Sequence, residues 1–155
     1  MAASGSIVYA GGTFTNAGGR AANYIAKWDG NTWTNLGSGV AGPFGATYVW
    51  ALTLSGSDLY AGGYFTTAGG LPANYIARWN GSAWSGVGLG PGVNDEVYAL
   101  AASGANVYAG GKFTMAGGLA RNFIAKWDGS IWSSMGSGMS NYVYALAAAG
   151  TNVYA

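Results

Sequence analysis

The chain has 155 residues, about one domain's worth, and six Lys and Arg nearly balance five Asp and Glu for a net charge of +1. It has no Cys and no His, which excludes a disulfide framework, a thiol nucleophile, a zinc-thiolate or iron–sulfur site, a Ser-His-Asp triad, and His-ligated zinc, copper or haem. Only 7% of residues are charged while 50% are hydrophobic and 15% aromatic, a balance that argues against an electrostatic nucleic-acid binder and against disorder.

From the start of the chain, Met1-Ala2-Ala3-Ser4-Gly5 lacks the basic start and apolar core of a signal peptide. Apolar runs such as 97–102 are too short to span a bilayer as a helix. Neither a nucleic-acid nor a membrane partner is expected, and the compartment stays open. The dominant feature is an internal repeat. Val8-Tyr9-Ala10-Gly11-Gly12 returns as Leu59-Tyr60-Ala61-Gly62-Gly63 and as Val107-Tyr108-Ala109-Gly110-Gly111, and begins again at Val153-Tyr154-Ala155. The spacings are 59 − 8 = 51, 107 − 59 = 48 and 153 − 107 = 46 residues. They differ because the connection after Gly39, Gly90 and Gly138 varies in length, through insertions such as Ala41-Gly42-Pro43-Phe44-Gly45 and Gly92-Val93. Length variation at one point of a repeat marks a surface loop.

Each unit reads as four short strands. The first is an Ala-rich run, at 49–54, 97–102 and 143–148. A Gly turn leads to the second, such as 107–113, which carries the double glycine. A loop of the form Phe-Thr-x-Ala-Gly-Gly leads to the third, such as 122–127, which ends in Trp. The turns Asp29-Gly30, Asn80-Gly81 and Asp128-Gly129 then separate Trp28 from Trp33, Trp79 from Trp84 and Trp127 from Trp132. Asp-Gly and Asn-Gly favour positive φ at both positions of a tight type I′ hairpin, which predicts that turn here. No segment carries a sustained 3.6-residue period. Four-stranded units of this length are the signature of β-propeller blades. The expected fold is all-β, a single partial propeller over 1–155 with three four-stranded blades in units 7–54, 58–102 and 106–149.

The double glycine after an aromatic, the aromatic ending strand three and the Trp on strand four together resemble the kelch repeat, and more loosely the propeller domain of galactose oxidase. The Phe-Thr-x-Ala-Gly-Gly loop lies outside the general kelch pattern and is similar to repeat arrays of large bacterial and fungal surface proteins. The resemblance implies a propeller fold and a secreted or cell-surface parent. The copper and Cys–Tyr cofactor of galactose oxidase do not carry over to a chain without Cys or His.

Three blades do not close a ring, and the expected remedy is self-association, head to tail. Two chains would give six blades and three would give nine; the resemblance favours the homodimer, with the homotrimer next. The terminal segment 143–155 is expected to complete the first blade of a neighbouring chain by strand exchange, with Val8, Tyr9, Phe14, Val143, Tyr144 and Leu146 at the interface. Residues 2–10 and 147–155 encode the same stretch, so one copy is expected to fray or lie outside the ladder. A chain cut at this phase reads as a fragment or an engineered protein.

Candidate sites are few. Asp29, Asn80 and Asp128 read as turn residues rather than ligands, since calcium needs more oxygens than one carboxylate per blade. Trp28, Trp33, Trp79, Trp84, Trp127 and Trp132 read as blade core. Phe44, Trp50, Tyr64 and Tyr142 break the regular pattern and are the candidate ligand contacts, for a glycan or a protein. Lys27, Arg78 and Lys126 share one repeat position, and Arg20 and Arg121 are read as sharing another. Asp95-Glu96 is the only acidic pair, and neighbours on a strand face opposite sides, so it is a poor acid–base pair. No catalytic residue, metal or cofactor is expected. The leading reading is a self-assembling structural module, the alternative a lectin-like or protein-binding propeller, and an enzyme comes last.

Overall fold

A computed structural model describes residues 1–88 and 92–155; Gly90, the start of the second variable connection, lies outside them. The described chain is all-β, apart from one short 3-10 turn at Pro43–Gly45. Three four-stranded antiparallel sheets follow one another, each in chain order. The first contains Ala2–Ser4, Ile7–Gly11, Ile25–Trp28 and Trp33–Asn35. The second contains Tyr48–Ser55, Asp58–Tyr64, Ile76–Trp79 and Trp84–Gly86. The third contains Val97–Ser103, Asn106–Gly111, Ile124–Trp127 and Trp132–Ser134. The sequence units 7–54, 58–102 and 106–149 therefore straddle two sheets each. The reason is local: a two-residue turn with glycine at φ +60 (Gly56) or +58 (Gly104) ties each first strand to the strand after it.

The turn between strands three and four is not type I′. Gly30, Gly81 and Gly129 have φ of 103, 99 and 99, but Asp29, Asn80 and Asp128 are absent from the residues with positive φ. Instead the side chain closes the loop. Asp29 Oδ1 accepts the N–H groups of Asn31 at 2.8 Å and Thr32 at 2.7 Å. Asn80 Oδ1 does the same for Ser82 and Ala83, and Asp128 Oδ1 for Ser130 and Ile131. An Asx turn uses one side-chain oxygen, so Asp and Asn serve equally. The Phe-Thr-x-Ala-Gly-Gly loop is also more than a loop. It folds into a small hairpin, Asn16–Ala17 with Arg20–Ala21, Thr67–Ala68 with Leu71–Pro72, and Met115–Ala116 with Leu119–Ala120. Arg20 thus sits at the position of Leu71 and Leu119, not at that of Arg121.

Successive sheets lie beside each other through their first strands, and two apolar clusters fill the spaces between them. One joins Tyr9, Ile25 and Leu36 to Val49, Leu52, Phe65 and Trp84; the other joins Tyr60, Ile76 and Val87 to Val97, Leu100, Phe113 and Trp132. The double glycines set the spacing. A Cβ on Gly62 would lie 2.5 Å from Val97 Cγ1 and 3.2 Å from Leu100 Cδ1, both on the next sheet. A Cβ on Gly63 would run into the carbonyl oxygen of Tyr48 across its own ladder, where Tyr48–Ser55 bulges between Val49 and Ala51. The first glycine is therefore a site of close sheet-to-sheet approach, and the second makes room for a bulged backbone.

The chain ends in a two-stranded hairpin, Ala147–Ala149 with Asn152–Tyr154. The expected first strand 143–148 is thus paired only at its end, and residues 142–146 belong to no strand.

The glycine contacts fix the outcome of two substitutions. Gly62→Ala and Gly63→Ala should each destabilise by about 1–3 kcal/mol, the cost of forcing atoms into a packed site. Urea unfolding read by far-UV circular dichroism measures this. An unchanged midpoint would show, for Gly62→Ala, that the sheets move apart freely and, for Gly63→Ala, that the bulged strand does.

Candidate functional site

One inter-sheet contact is made twice within the chain. Trp84 of the second sheet reaches back to the first, and its indole N–H donates to the Leu36 carbonyl at 2.8 Å. Trp132 of the third sheet reaches back to the second and donates to the Val87 carbonyl at 3.2 Å. Each indole is paired with the Trp that ends strand three, with centroids 5.4 Å apart for Trp79–Trp84 and 5.5 Å for Trp127–Trp132. Each pair covers a turn glycine of the sheet before it, Gly37 or Gly88. The receiving residues Leu36 and Val87 are 1% and 2% exposed.

The same contact is left half-made at both ends. The first sheet carries the pair Trp28–Trp33, 5.5 Å apart. Among the described residues, no carbonyl accepts the Trp33 indole N–H, and both rings are only half-buried. With Met1 and Val8 they line an apolar hollow of about 230 Å3. At the far end, Met135 holds the place of Leu36 and Val87. Its carbonyl accepts the Gly138 N–H at 3.1 Å, as Leu36 accepts Gly39, but no indole arrives. A Cβ on Gly136 would meet nothing within 4 Å. One end presents the knob and the other the socket.

Three further features repeat this complementarity. Val40–Ala41 pairs with Thr67–Ala68 of the next unit, and Val93 bridges Ala116. Their counterpart Met139 is 41% exposed, and the matching hairpin edge at Asn16–Ala17 pairs only with Arg20–Ala21. Phe65 and Phe113 are fully buried, whereas Phe14 is half-buried. In the second sheet, Val49, Ala51 and Leu52 pair with Gly63, Gly62 and Ala61. In the first sheet, Ala2–Ser4 reaches only Tyr9, Val8 and Ile7, so among the described residues the equivalent edge at Ala10–Gly12 has no first-strand partner in its own sheet, although the Gly12 carbonyl accepts the Val49 N–H of the next sheet at 3.2 Å. The residues that would match it are Val143–Leu146.

These positions correct parts of the expected interface. Tyr9 faces the second sheet and is buried in the core there, because alternate residues of a strand point to opposite sides. Val8 faces the open end beside Trp28. The ladder edges of both are already taken by Ala2 and Ala3, so strand exchange with the run 8–14 has only 10–12 available. Val143 is buried, because Val143 and Leu146 lie against Gly110 as Val97 and Leu100 lie against Gly62. What Val143–Leu146 leaves open is its backbone edge. Tyr144 stacks on Tyr98 at 5.3 Å. Both terminal hairpins are formed in the single chain, in matching registers, Ala2↔Tyr9 and Ala147↔Tyr154.

Of the aromatic candidates, Trp50 and Tyr64 come together in one cleft, lined also by Tyr48, Tyr98, Glu96 and Tyr144. Tyr142 lies beside it, edge-on to Tyr144. Phe44 is fully exposed on the short turn with φ 56 and takes part in none of the aromatic contacts. Two ion pairs form among the described residues. Arg78 Nε lies 2.8 Å from Asp58 Oδ2, and Lys112 Nζ lies 3.4 Å from Asp95 Oδ2. No group of three or more His, Cys, Asp and Glu that could hold a metal occurs among the described residues.

The Asx turns set one pH dependence. Backbone N–H groups of Thr32 and Asn31 hold the Asp29 carboxyl below its ordinary pKa, and those of Ile131 and Ser130 do the same for Asp128. A carboxylate lowered on folding adds stability above the unfolded pKa, and that stability is lost as pH falls through the folded value. The double variant Asp29→Asn, Asp128→Asn keeps the acceptor geometry already present at Asn80. Its thermal midpoint should fall less than wild type's between pH 5 and pH 2. Parallel curves would rule out the turn carboxylates as the source. Comparison with known proteins finds no family model that matches this chain and no curated protein similar to it.

Proposed function

We propose that this chain is a self-assembling structural module: three blades of a kelch-like β-propeller whose ring is closed by further copies of itself. The observation that carries the reading is the doubled Trp-to-carbonyl contact, with its unfilled knob at Trp28–Trp33 and its unfilled socket at Met135–Gly136. A surface whose two halves lie at opposite ends of one molecule associates head to tail, and such contacts close into a ring when the rotation suits. The same pairing brings Met139 to the Asn16–Ala17 hairpin and covers Phe14. It also places Val143–Leu146 along the open edge at Ala10–Gly12, which satisfies backbone groups that an exposed edge leaves free for any strand; Ala147–Ala149 then competes with Ala2–Ser4 for the edge at Ile7–Tyr9, so one of the two terminal hairpins opens on closure. The favoured ring is a homodimer of six blades, with a homotrimer of nine as the other closed form. No catalytic step is part of this function.

Light scattering coupled to size-exclusion chromatography tests it directly. The expected mass is a whole multiple, two or three, of the 15.6 kDa chain. Two variants separate assembly from folding. Trp33→Ala removes the free indole. Gly12→Ala adds a Cβ that within one chain meets only the Phe14 ring, at 3.3 Å. In the closed ring that methyl would strike the Tyr142 carbonyl of a second copy, as a Cβ on Gly63 would strike Tyr48. Both variants should keep the wild-type circular dichroism spectrum and elute at the mass of one chain. A wild-type chain that is monomeric at about 100 μM, a concentration well above the micromolar affinities of weak specific interfaces, would refute the proposal.

A further inference from the structure

The first strands carry a small lattice of side chains on one rim of the molecule. The repeat places Tyr48 and Trp50 on the second sheet, Glu96 and Tyr98 on the third, and Tyr142 and Tyr144 on the terminal segment. Five of the six positions are aromatic, and the rings touch across the sheets. Trp50 and Tyr98 have centroids 5.2 Å apart, and Tyr98 and Tyr144 5.3 Å. Glu96 is the exception: a carboxylate stands where the flanking units have Tyr48 and Tyr142. The shorter side chain leaves a cleft of about 600 Å3, walled by Tyr48, Trp50, Tyr64, Tyr98 and Tyr144 with Glu96 among them.

Glu96 is the one charged residue among those that line this cleft. Lys112 pairs with Asp95 at 3.4 Å and lies within the field of Glu96 as well, while the Glu96 carboxylate accepts the Tyr98 hydroxyl at 2.6 Å. A carboxylate and five π-systems all favour positive charge. The wall geometry bears on the shape of the guest. Tyr48 and Trp50 are parallel within 8°, and Tyr98 and Tyr144 within 9°, so each ring covers one face of its neighbour. The pairs meet at an angle, 58° between Trp50 and Tyr98 and 47° between Tyr48 and Tyr64. Rings set at an angle wall a rounded head group, whereas a pyranose stacks on an open flat face.

We propose that the Glu96 cleft is a binding site for a compact organic cation of the quaternary or methylated ammonium class. The site is complete within one chain and does not depend on ring closure. A neutral group of the same shape gains only apolar contact there, and an anion is repelled by Glu96.

The probe pair is choline and its neutral isostere 3,3-dimethylbutan-1-ol, with glucose as a third ligand, at constant ionic strength. Binding is read by saturation-transfer NMR on the probe's methyl resonance and by tryptophan fluorescence. Choline should saturate with a dissociation constant of about millimolar, the scale expected from a few exposed cation–π contacts, and the isostere and glucose should not bind. Glu96→Gln, which keeps an acceptor for Tyr98, and Trp50→Leu, at a site 43% exposed, should each weaken choline at least tenfold with unchanged thermal midpoints. Equal binding of the isostere would make the cleft a plain apolar slot and overturn the proposal. So would saturation by glucose, undiminished choline binding in either variant, or no saturation below about 100 mM, where the free energy falls under that of a single good contact.

Discussion

The fold depends on how closely one sheet can approach the next. A glycine on the second strand, Gly11, Gly62 or Gly110, leaves room for a Val and a Leu from the following first strand, and the ideal Cβ positions show that no other residue fits without displacing them. That close approach brings the two sheets near enough for an indole to reach a backbone carbonyl on its neighbour. It also lets the apolar residues of both sheets form one cluster. The contact is directional. The sheet with the glycine always precedes the sheet with Val and Leu, and the Trp always reaches backwards. A directional contact, repeated, has two unlike ends.

The ends are polar opposites in form but not in charge. With so few ionised groups, electrostatic steering contributes little. In the proposed ring, specificity comes instead from shape and from unpaired hydrogen-bonding groups. An indole N–H without an acceptor and a strand edge without a partner stay solvated in the lone chain. In a closed contact each bond adds about 1 kcal/mol net, and the larger share comes from burying the indole rings and Phe14. On the proposed reading, the Trp33 hollow and the Met135 socket are one interaction interrupted.

Much of this was legible in the sequence, because near-identical repeats expose every position several times. The strands, the sheet size and the Trp pairs followed from pattern and spacing. What stayed hidden was chemistry that the repeat itself disguises. The Asp-Gly and Asn-Gly dipeptides pointed to a type I′ turn, yet the side-chain oxygen closes a longer loop and only the glycine takes positive φ. Tyr24, Tyr75 and Phe123 take φ of 68, 62 and 63, a left-handed conformation that aromatic residues rarely adopt and that no propensity signals. Its repetition shows that tertiary bonds enforce it: the N–H of each donates to the carbonyl of Phe14, Phe65 or Phe113 at 2.9 Å. Tyr9, expected at an interface between copies, lies in the single chain against the second sheet, since a strand's two faces belong to different neighbours and only the register decides which.

The informative positions are those where one unit departs from the others. Conserving Trp79 and Trp84 alongside Trp127 and Trp132 says only that the same space is filled twice. Glu96 is different, because the repeat defines what should stand there and the neighbouring units supply Tyr48 and Tyr142. A carboxylate in that lattice loses the burial and stacking of an aromatic ring, and the structure offers it a single hydrogen bond from Tyr98 in return. Tyr98 is affected in turn: burial, reinforced by the Glu96 carboxylate, pushes its hydroxyl well above the ordinary phenol pKa, so it remains a donor throughout the physiological range. Sameness in this chain therefore carries the proposal of assembly, and the departure at Glu96 on the aromatic rim carries the proposal of recognition.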